Sequence, residues 1–191
     1  MSAERIREAA LIRFADQGYD ATPLAQIAAD AGIKTPSIYA HFSGKQALFW
    51  ELVEYASAME LDTLRQSLQG KMPAVEAMRG YLYSTIERYA EAPHLRFWLR
   101  MLYLPPVKIQ PELLRFDRSF GQRLEELVGE ALRHPAFGLK NTDLARETVS
   151  TAFVGMLRSV HAELLYCSSS DSEKMLSAMW TIFQRALEAK N

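Results

Sequence analysis

The chain has 191 residues, of which 49% are hydrophobic and 24% are charged, and this balance excludes a disordered or low-complexity protein. Its single cysteine, Cys167, excludes a disulfide within the chain, and the formal net charge is −1. Residues 1–50 carry five Lys or Arg and five Asp or Glu, which excludes a basic domain. Because no signal peptide or bilayer-spanning apolar stretch is visible, we expect a soluble cytoplasmic protein without membrane contact.

Apolar residues recur at helical spacing almost throughout, beginning with Ile6, Ala10 and Phe14 in a first helix that ends at Gly18. No segment alternates apolar and polar residues over the length of a strand. The sequence therefore predicts an all-α fold, and it places a turn at "SSSDS". Two short helices are expected to begin at Thr22-Pro23 and Thr35-Pro36, followed by helices near 45–69, 74–91, 94–103, 111–134, 142–167 and 172–189.

The two short helices carry matching start signals. In each, Thr suits the N-cap and the Pro after it suits the first helical position, where no amide hydrogen is needed. Gly32 ends the first of them, because glycine tolerates the left-handed conformation found at helix ends. A helix, a tight turn and a second short helix that runs to Phe42 predict a helix-turn-helix.

The second short helix is expected to have a buried face and an exposed face. Its inner side and that of its neighbour would be buried through Ile27, Ala28, Ala31, Ile33, Ile38 and Phe42. Its outer surface would consist of Pro36, Ser37, Ala40 and His41, with Tyr39 at the edge. Such small or hydrogen-bonding side chains suit a helix that enters the major groove of DNA and contacts bases with its N-terminal residues.

The next helix begins with a phosphate-binding pattern. Ser43 and Gln46 match a capping box, and Lys45 lies in the first turn. A cation at that end is unfavourable for the helix dipole. The free amides and Lys45 would instead bind a DNA phosphate.

The stretch "GYDATPLAQIAADAGIKTPSIYAHFSGKQALFWELV", together with the helix before it, closely resembles the N-terminal domain of TetR-family transcriptional regulators. The resemblance covers about residues 4–53. It implies a DNA-binding domain at residues 1–60 and a larger helical domain for effector binding and dimerisation at 61–191. The residues that carry it are Gly18-Tyr19, Thr22, Ile27-Ala28, Ala31-Gly32, Tyr39, His41-Phe42, Lys45 and Leu48.

The same resemblance implies a ligand-responsive repressor that binds a near-palindromic operator as a dimer and is released by a small hydrophobic effector. It makes Tyr39 and Lys45 phosphate contacts, and it makes Thr22 a helix cap beside the DNA backbone. The DNA-binding residues are then Thr22, Lys34, Thr35, Pro36, Ser37, Tyr39, His41 and Lys45.

Large apolar side chains of the later helices suit a pocket for a bulky hydrophobic or aromatic ligand. The alternative is that these residues form an ordinary core. The candidate lining residues are Met59, Tyr83, Trp98, Met101, Tyr103, Phe116, Phe120, Phe153 and Met156.

The last two helices predict a homodimer. A stripe of small residues on one and a broad apolar face on the other would let two subunits close a four-helix bundle. Alternatively, these faces pack inside one subunit. The candidate interface residues are Thr148, Ala152, Gly155, Ser159, Met175, Met179, Ile182, Phe183 and Ala186.

Enzymatic chemistry is not predicted, and neither is a metal or another cofactor. His41, His94, His134 and His161 are scattered, and none shares a metal-binding spacing with a carboxylate. A second hypothesis is a helical module that binds a small molecule or a partner protein and no longer reads DNA.

Overall fold

The computed structural model describes residues 2–70, 72–133 and 146–188, and within these ranges it contains helices and no strand. The predicted all-α fold class is confirmed. No helix in the described ranges is long and apolar enough to cross a membrane. The helices are α1 Ser2–Gln17, α2 Leu24–Asp30, α3 Thr35–Ile38, α4 Lys45–Leu68, α5 Ala74–Tyr89, α6 Pro93–Tyr103, α7 Gln110–Ala131, α8 Arg146–Tyr166 and α9 Ser169–Glu188.

Some predicted features lie outside the described residues. These are His134, the first four residues of the helix predicted at 142–167, and residue 189 at the end of the last predicted helix. A 3₁₀ turn at Val107–Ile109, directly before α7, was not predicted from the sequence.

The predicted caps of the two short helices are wrong by one residue. The N-caps are Pro23 and Lys34, because their carbonyls accept the first hydrogen bonds of α2 and α3. Thr22 is fully buried, and its hydroxyl donates to the carbonyl of Gly18 at 2.7 Å. The regular part of α3 ends at Ile38, although the amide of Phe42 still donates to the Ile38 carbonyl at 2.9 Å.

Two further helix starts differ from the prediction. The amide of Leu48 donates to the carbonyl of Gly44, so Gly44 rather than Ser43 takes the N-cap position of α4. The "SSSDS" stretch opens α9 instead of forming only a turn. The Asp171 amide donates to the Ser168 hydroxyl oxygen at 3.2 Å, and that hydroxyl donates to the Asp171 carboxylate at 2.5 Å. This reciprocal pair caps the helix.

The chain divides into two compact units. The first contains the residues up to Glu60 together with Ala90–Arg115, and the second contains Leu61–Tyr89 and the residues from Phe116 onward. Helix α4 begins in the first unit and ends in the second. The predicted assignment of DNA binding to residues 1–60, and of effector binding and dimerisation to 61–191, concerns function and stays a prediction.

The first unit is built around an apolar core in which α1 packs against α2 and α6. The inner faces predicted for the short helices are buried, with Ile33 half-buried as the exception. An aromatic cluster continues this core, with ring centroids 5.7 Å apart for Phe14 and Phe49 and 5.4 Å apart for Phe49 and Phe97. Burial of each such side chain contributes roughly 1.5–3 kcal/mol, which holds helices together that are too short to be stable alone.

The second unit packs α5, α8 and α9 against one another. Tyr81 and Phe153 lie in its core with ring centroids 6.4 Å apart, and Trp180 of α9 is buried. Arg158 of α8 forms an ion pair with Asp117 of α7 at 3.1 Å. The remaining faces of α8 and α9 point to solvent in the single chain.

Two glycines have the backbone conformation that their positions require. Gly18 follows α1 with φ +82°, and Gly32 lies between α2 and α3 with φ +65°. At Gly32, the amide of Ile33 bonds back to the carbonyl of Ala28 at 2.9 Å, which closes the turn. A Cβ on Gly32 would also lie 2.6 Å from a guanidinium nitrogen of Arg5. The predicted ends of both helices at glycine are confirmed.

Gly32→Ala is expected to lower the free energy of unfolding by about 1–2 kcal/mol, because an L-residue is strained at positive φ. The measurement is equilibrium unfolding in urea. The matched control is Gly80→Ala within α5, where a Cβ meets no atom within 4 Å. That control should raise stability by roughly 0.5–1 kcal/mol. Equal stability of the Gly32→Ala variant and the unchanged protein would contradict the strain argument.

Candidate nucleic-acid interface

Helix α3 and the residues after it present one polar surface to solvent. Ile38 is fully buried and Phe42 is nearly so, which fixes the rotation of this segment. The opposite surface is formed by the exposed residues Pro36, Ser37, Tyr39, Ala40 and His41, with Thr35 half-buried at its start. The two faces are those predicted from the sequence.

The start of α3 adds a cation to this surface. Lys34 is the exposed N-cap residue, and the amide of Ser37 donates to its carbonyl at 2.9 Å. Tyr39 is the C-cap residue, and 59% of it is exposed. A lysine and a phenol hydroxyl therefore flank the small residues of α3, and both groups can donate hydrogen bonds to phosphate oxygens.

His41 has a partner that sequence reasoning missed. The hydroxyl oxygen of Ser2, at the start of α1, lies 2.6 Å from Nε2 of His41, and the tautomer decides which group donates. The N-terminus of α1 thus adjoins the exposed surface of α3. No sequence pattern indicated this contact, because the two residues are 39 positions apart.

Thr22 has a different position from the other predicted DNA-binding residues. Its side chain is fully buried, with the hydroxyl directed at the backbone of Gly18 and Arg13. The side chain therefore fixes the loop between α1 and α2 and offers no surface to a ligand in this structure.

Lys45, the first residue of α4, lies over an aromatic ring. Its Nζ is 4.3 Å from the centroid of the Tyr19 ring. Burial lowers the pKa of Lys45, and the negative charge of Asp20 opposes that shift. Burial raises the pKa of the Tyr19 phenol, and Asp20 raises it further. The half-buried ammonium is thus placed at the N-terminus of a long helix, where backbone amides favour an anion.

Two arginines of α1 stabilise the fold through ion pairs with neighbouring helices. Arg13 Nη2 donates to Asp30 at 2.9 Å and joins α1 to α2, while Arg7 forms an ion pair with Glu51 and joins α1 to α4. The hydrogen bond from Arg13 lowers the pKa of the Asp30 carboxyl. Since these cations are paired with carboxylates, the surface around α3 has a few placed donors and no strong positive field.

The residues predicted to line an effector pocket are divided between the units. Met59, Trp98, Met101 and Tyr103 belong to the first, and Tyr83, Phe116, Phe120, Phe153 and Met156 belong to the second. Trp98, Met101, Phe120, Phe153 and Met156 are buried. Among the described residues, no group of three or more His, Cys, Asp or Glu could hold a metal ion.

The residues predicted for a dimer interface lie on α8 and α9. Thr148, Ala152 and Gly155 are exposed on α8 and Ser159 is half-buried, whereas Val149, Phe153 and Val160 of the same helix are buried. On α9, Ile182 is 72% exposed. Ala186 is also exposed, while Met175, Met179 and Phe183 are half-buried.

Comparisons with known proteins agree with this geometry. Residues 6–52 match the family described as bacterial regulatory proteins, tetR family. An uncharacterized HTH-type transcriptional regulator of Bacillus subtilis (strain 168), YerO, is 34% identical over 132 residues. That match covers 68% of this chain and 45% of YerO, so the chain spans less than half the length of this relative.

Two solved structures share the fold. A TetR-like transcriptional regulator from Rhodococcus sp. RHA1 aligns with a TM-score of 0.71 and 19% identity, covering 99% of this chain and 97% of the other. SmeT, the repressor of the Stenotrophomonas maltophilia multidrug efflux pump SmeDEF, aligns with a TM-score of 0.68 and 18% identity, covering 94% and 88%. The N-terminal helix-turn-helix of this chain, over residues 6–52, therefore matches the tetR family of bacterial regulatory proteins.

Proposed function

We propose that this protein is a sequence-specific DNA-binding transcriptional regulator that binds a near-palindromic operator as a homodimer. The observation that carries the proposal is the exposed surface of α3. Small and hydrogen-bonding side chains point outward from a short helix whose rotation is fixed by the buried Ile38 and Phe42. A surface of this kind fits the major groove without steric conflict.

The side chains divide into base-reading and phosphate-binding groups. Thr35 and Ser37, at the N-terminal end of α3, would contact bases, and Ala40 would contact a thymine methyl group. Tyr39 and Lys45 would contact phosphates, together with the amides at the start of α4. Phosphate contacts fix the register in which the bases are read.

We further propose that the protein is a repressor released by a small hydrophobic or aromatic effector. SmeT, with which the fold is shared, is a repressor. Helix α4 runs without interruption from the first unit into the second, so an effector that shifts this helix alters the DNA-binding surface. The protein would then have one conformation that binds DNA and one that does not. The coupling free energy is set by the difference in effector affinity between these two conformations.

The homodimer is supported by the exposed faces of α8 and α9. Ile182 on α9 and the small residues Ala152 and Gly155 on α8 are exposed in the single chain, and a second copy of the chain would cover them. A twofold axis through such a face would present two α3 helices to two half-sites about 34–36 Å apart, or a multiple of that.

A gel shift with the DNA upstream of the protein's own coding sequence tests the proposal against a module that no longer reads DNA. Selection from a random DNA pool then gives the operator. We expect a near-palindromic sequence to be enriched. If no sequence is enriched, the result favours a module that no longer reads DNA.

Tyr39→Phe and Lys45→Ala are expected to weaken binding equally across operator variants, because phosphate contacts carry no sequence information. Lys45→Ala should also reduce the salt slope by about one unit. Ser37→Ala should instead change the preferred base at one position in each half-site. The measurement is operator affinity at several salt concentrations.

The matched control for the lost charge is Lys108→Ala, an exposed lysine far along the chain, which should leave the salt slope unchanged. If Ser37→Ala weakens binding to every sequence alike, Ser37 reads no base.

Thermal-shift screening with hydrophobic and aromatic compounds should find one that raises Tm and releases the operator. A ligand that binds only the folded state stabilises it by roughly 2.7 kcal/mol at a hundred times its Kd. A stabilising compound that leaves operator affinity unchanged would argue against an effector role, and a screen without any stabiliser would argue against the pocket.

Light scattering at micromolar concentration should give a mass of about 43 kDa, twice the 21.7 kDa of one chain. Gly155→Asp and Ile182→Asp should yield monomers with lost operator binding, because a charge would be buried in the interface. Neither substitution should disturb the fold of a single chain. A Cβ at Gly155 meets no atom within 4 Å, and Ile182 is exposed.

Leu114→Asp is the control for the dimer prediction, because Leu114 is also an exposed apolar residue but lies on α7. It should remain dimeric. An unchanged protein that is monomeric and still binds a two-half-site operator with full affinity would disprove the dimer.

A further inference from the structure

We propose that Tyr19 is a positioning residue for DNA binding, whose ring holds the Lys45 ammonium in place for a phosphate. The inference rests on the proposed function and assigns a role to a residue outside the surface of α3. Tyr19 lies in the loop after α1, and Lys45 is the first residue of α4.

The ring itself is held firmly. Its centroid lies 4.9 Å from that of Phe49 in an edge-to-face arrangement and 5.7 Å from that of Phe14. Before the ring, Gly18 at φ +82° ends α1, and its amide donates to the carbonyl of Phe14 at 3.1 Å. The backbone and two neighbouring rings therefore fix where the face of Tyr19 points.

The Lys45 ammonium group lies over that face. A distance of 4.3 Å from Nζ to the ring centroid lies well inside the range of cation–π attraction. Phe49 follows Lys45 by one helical turn, so both residues lie on the same side of α4. Phe49 packs against the Tyr19 ring, and Lys45 contacts the face of that ring. The contact occupies one side of the ammonium group and leaves N–H donors on its other side for a phosphate.

Holding this side chain matters because lysine is long and flexible. An unrestrained lysine loses rotamer freedom when it binds a phosphate, and that loss weakens the contact. In this structure the Lys45 side chain already lies against the Tyr19 ring. The phosphate then meets a cation that is in place and half shielded from water, where its attraction is stronger.

A purely structural role for Tyr19 is the competing explanation, since the ring also packs in the aromatic cluster. A substitution at Phe97 distinguishes the positioning role from the structural one. Its ring lies 6.3 Å from that of Phe14 and 5.4 Å from that of Phe49, so it supports the same cluster from the neighbouring helix α6. Loss of the Phe97 ring should disturb this packing without removing the Tyr19 face that contacts Lys45.

The experiment is a double-mutant cycle on operator affinity. Tyr19→Leu should weaken binding roughly three- to tenfold, as expected for loss of a partly shielded cation–π contact. Tyr19→Phe keeps the ring face and should restore affinity to within about twofold. In a Lys45→Met background, Tyr19→Leu should cause no further loss, because the side chain it positions is gone.

Three results would overturn the proposal. They are an equal loss from Tyr19→Leu with and without Lys45, a failure of Tyr19→Phe to restore binding, and a Phe97→Leu variant that shows the same coupling to Lys45. Should Tyr19→Leu fail to fold by circular dichroism, Tyr19→Met takes its place, because it fills similar volume without a ring face.

NMR of the unbound protein tests the contact apart from DNA. The Lys45 side-chain protons should be shifted upfield by the Tyr19 ring, and the shift should persist in Tyr19→Phe and disappear in Tyr19→Leu. Ordinary Lys45 shifts in the unchanged protein would overturn the contact and leave the proposed function standing. Failure of the unchanged protein to bind any operator would overturn the function, and with it the role of Tyr19 in DNA binding.

Discussion

The proposed DNA-binding surface depends on one backbone turn. At Gly32 the chain takes a positive φ, and the Ile33 amide bonds back to Ala28, so α3 starts at a fixed angle to α2. Helix α3 has four residues and no stability of its own. The turn sets its direction and the burial of Ile38 sets its rotation. The turn and the burial of Ile38 together determine the position of every exposed side chain on this surface.

Charge plays a smaller part than placement. Arg7 and Arg13 form ion pairs that hold α1 to its neighbours, and the chain as a whole carries a net charge of −1. A protein of this kind lacks the broad positive field that gives strong non-specific attraction to DNA. Under the proposed function, DNA binding then rests on individually placed donors, and the position of Lys45 over Tyr19 shows how one phosphate-binding donor is held by its surroundings.

Local signals predicted most of the fold. Apolar spacing together with proline and glycine gave the helices of the described residues to within a few positions, and the two faces of α3 followed from the same spacing. The cap of α2 was displaced because the Thr22 hydroxyl donates to the Gly18 carbonyl rather than capping the start of α2. Contacts such as Tyr19 with Lys45, or Ser2 with His41, depend on packing between distant segments, and no periodicity encodes them. For the same reason, the grouping of α6 with the N-terminal helices was beyond the sequence.

The outward side chains of α3 and of the residues after it contribute almost nothing to the core. Pro36, Ser37, Ala40 and His41 are exposed, while the residues that hold the helix face inward. Substitutions at exposed positions of this kind usually change stability by less than about 0.5 kcal/mol. Mutations can therefore accumulate on this surface without loss of the folded chain. Under the proposed function, a duplicated copy of the gene could acquire a new recognition sequence while the scaffold that holds α3 stays unchanged.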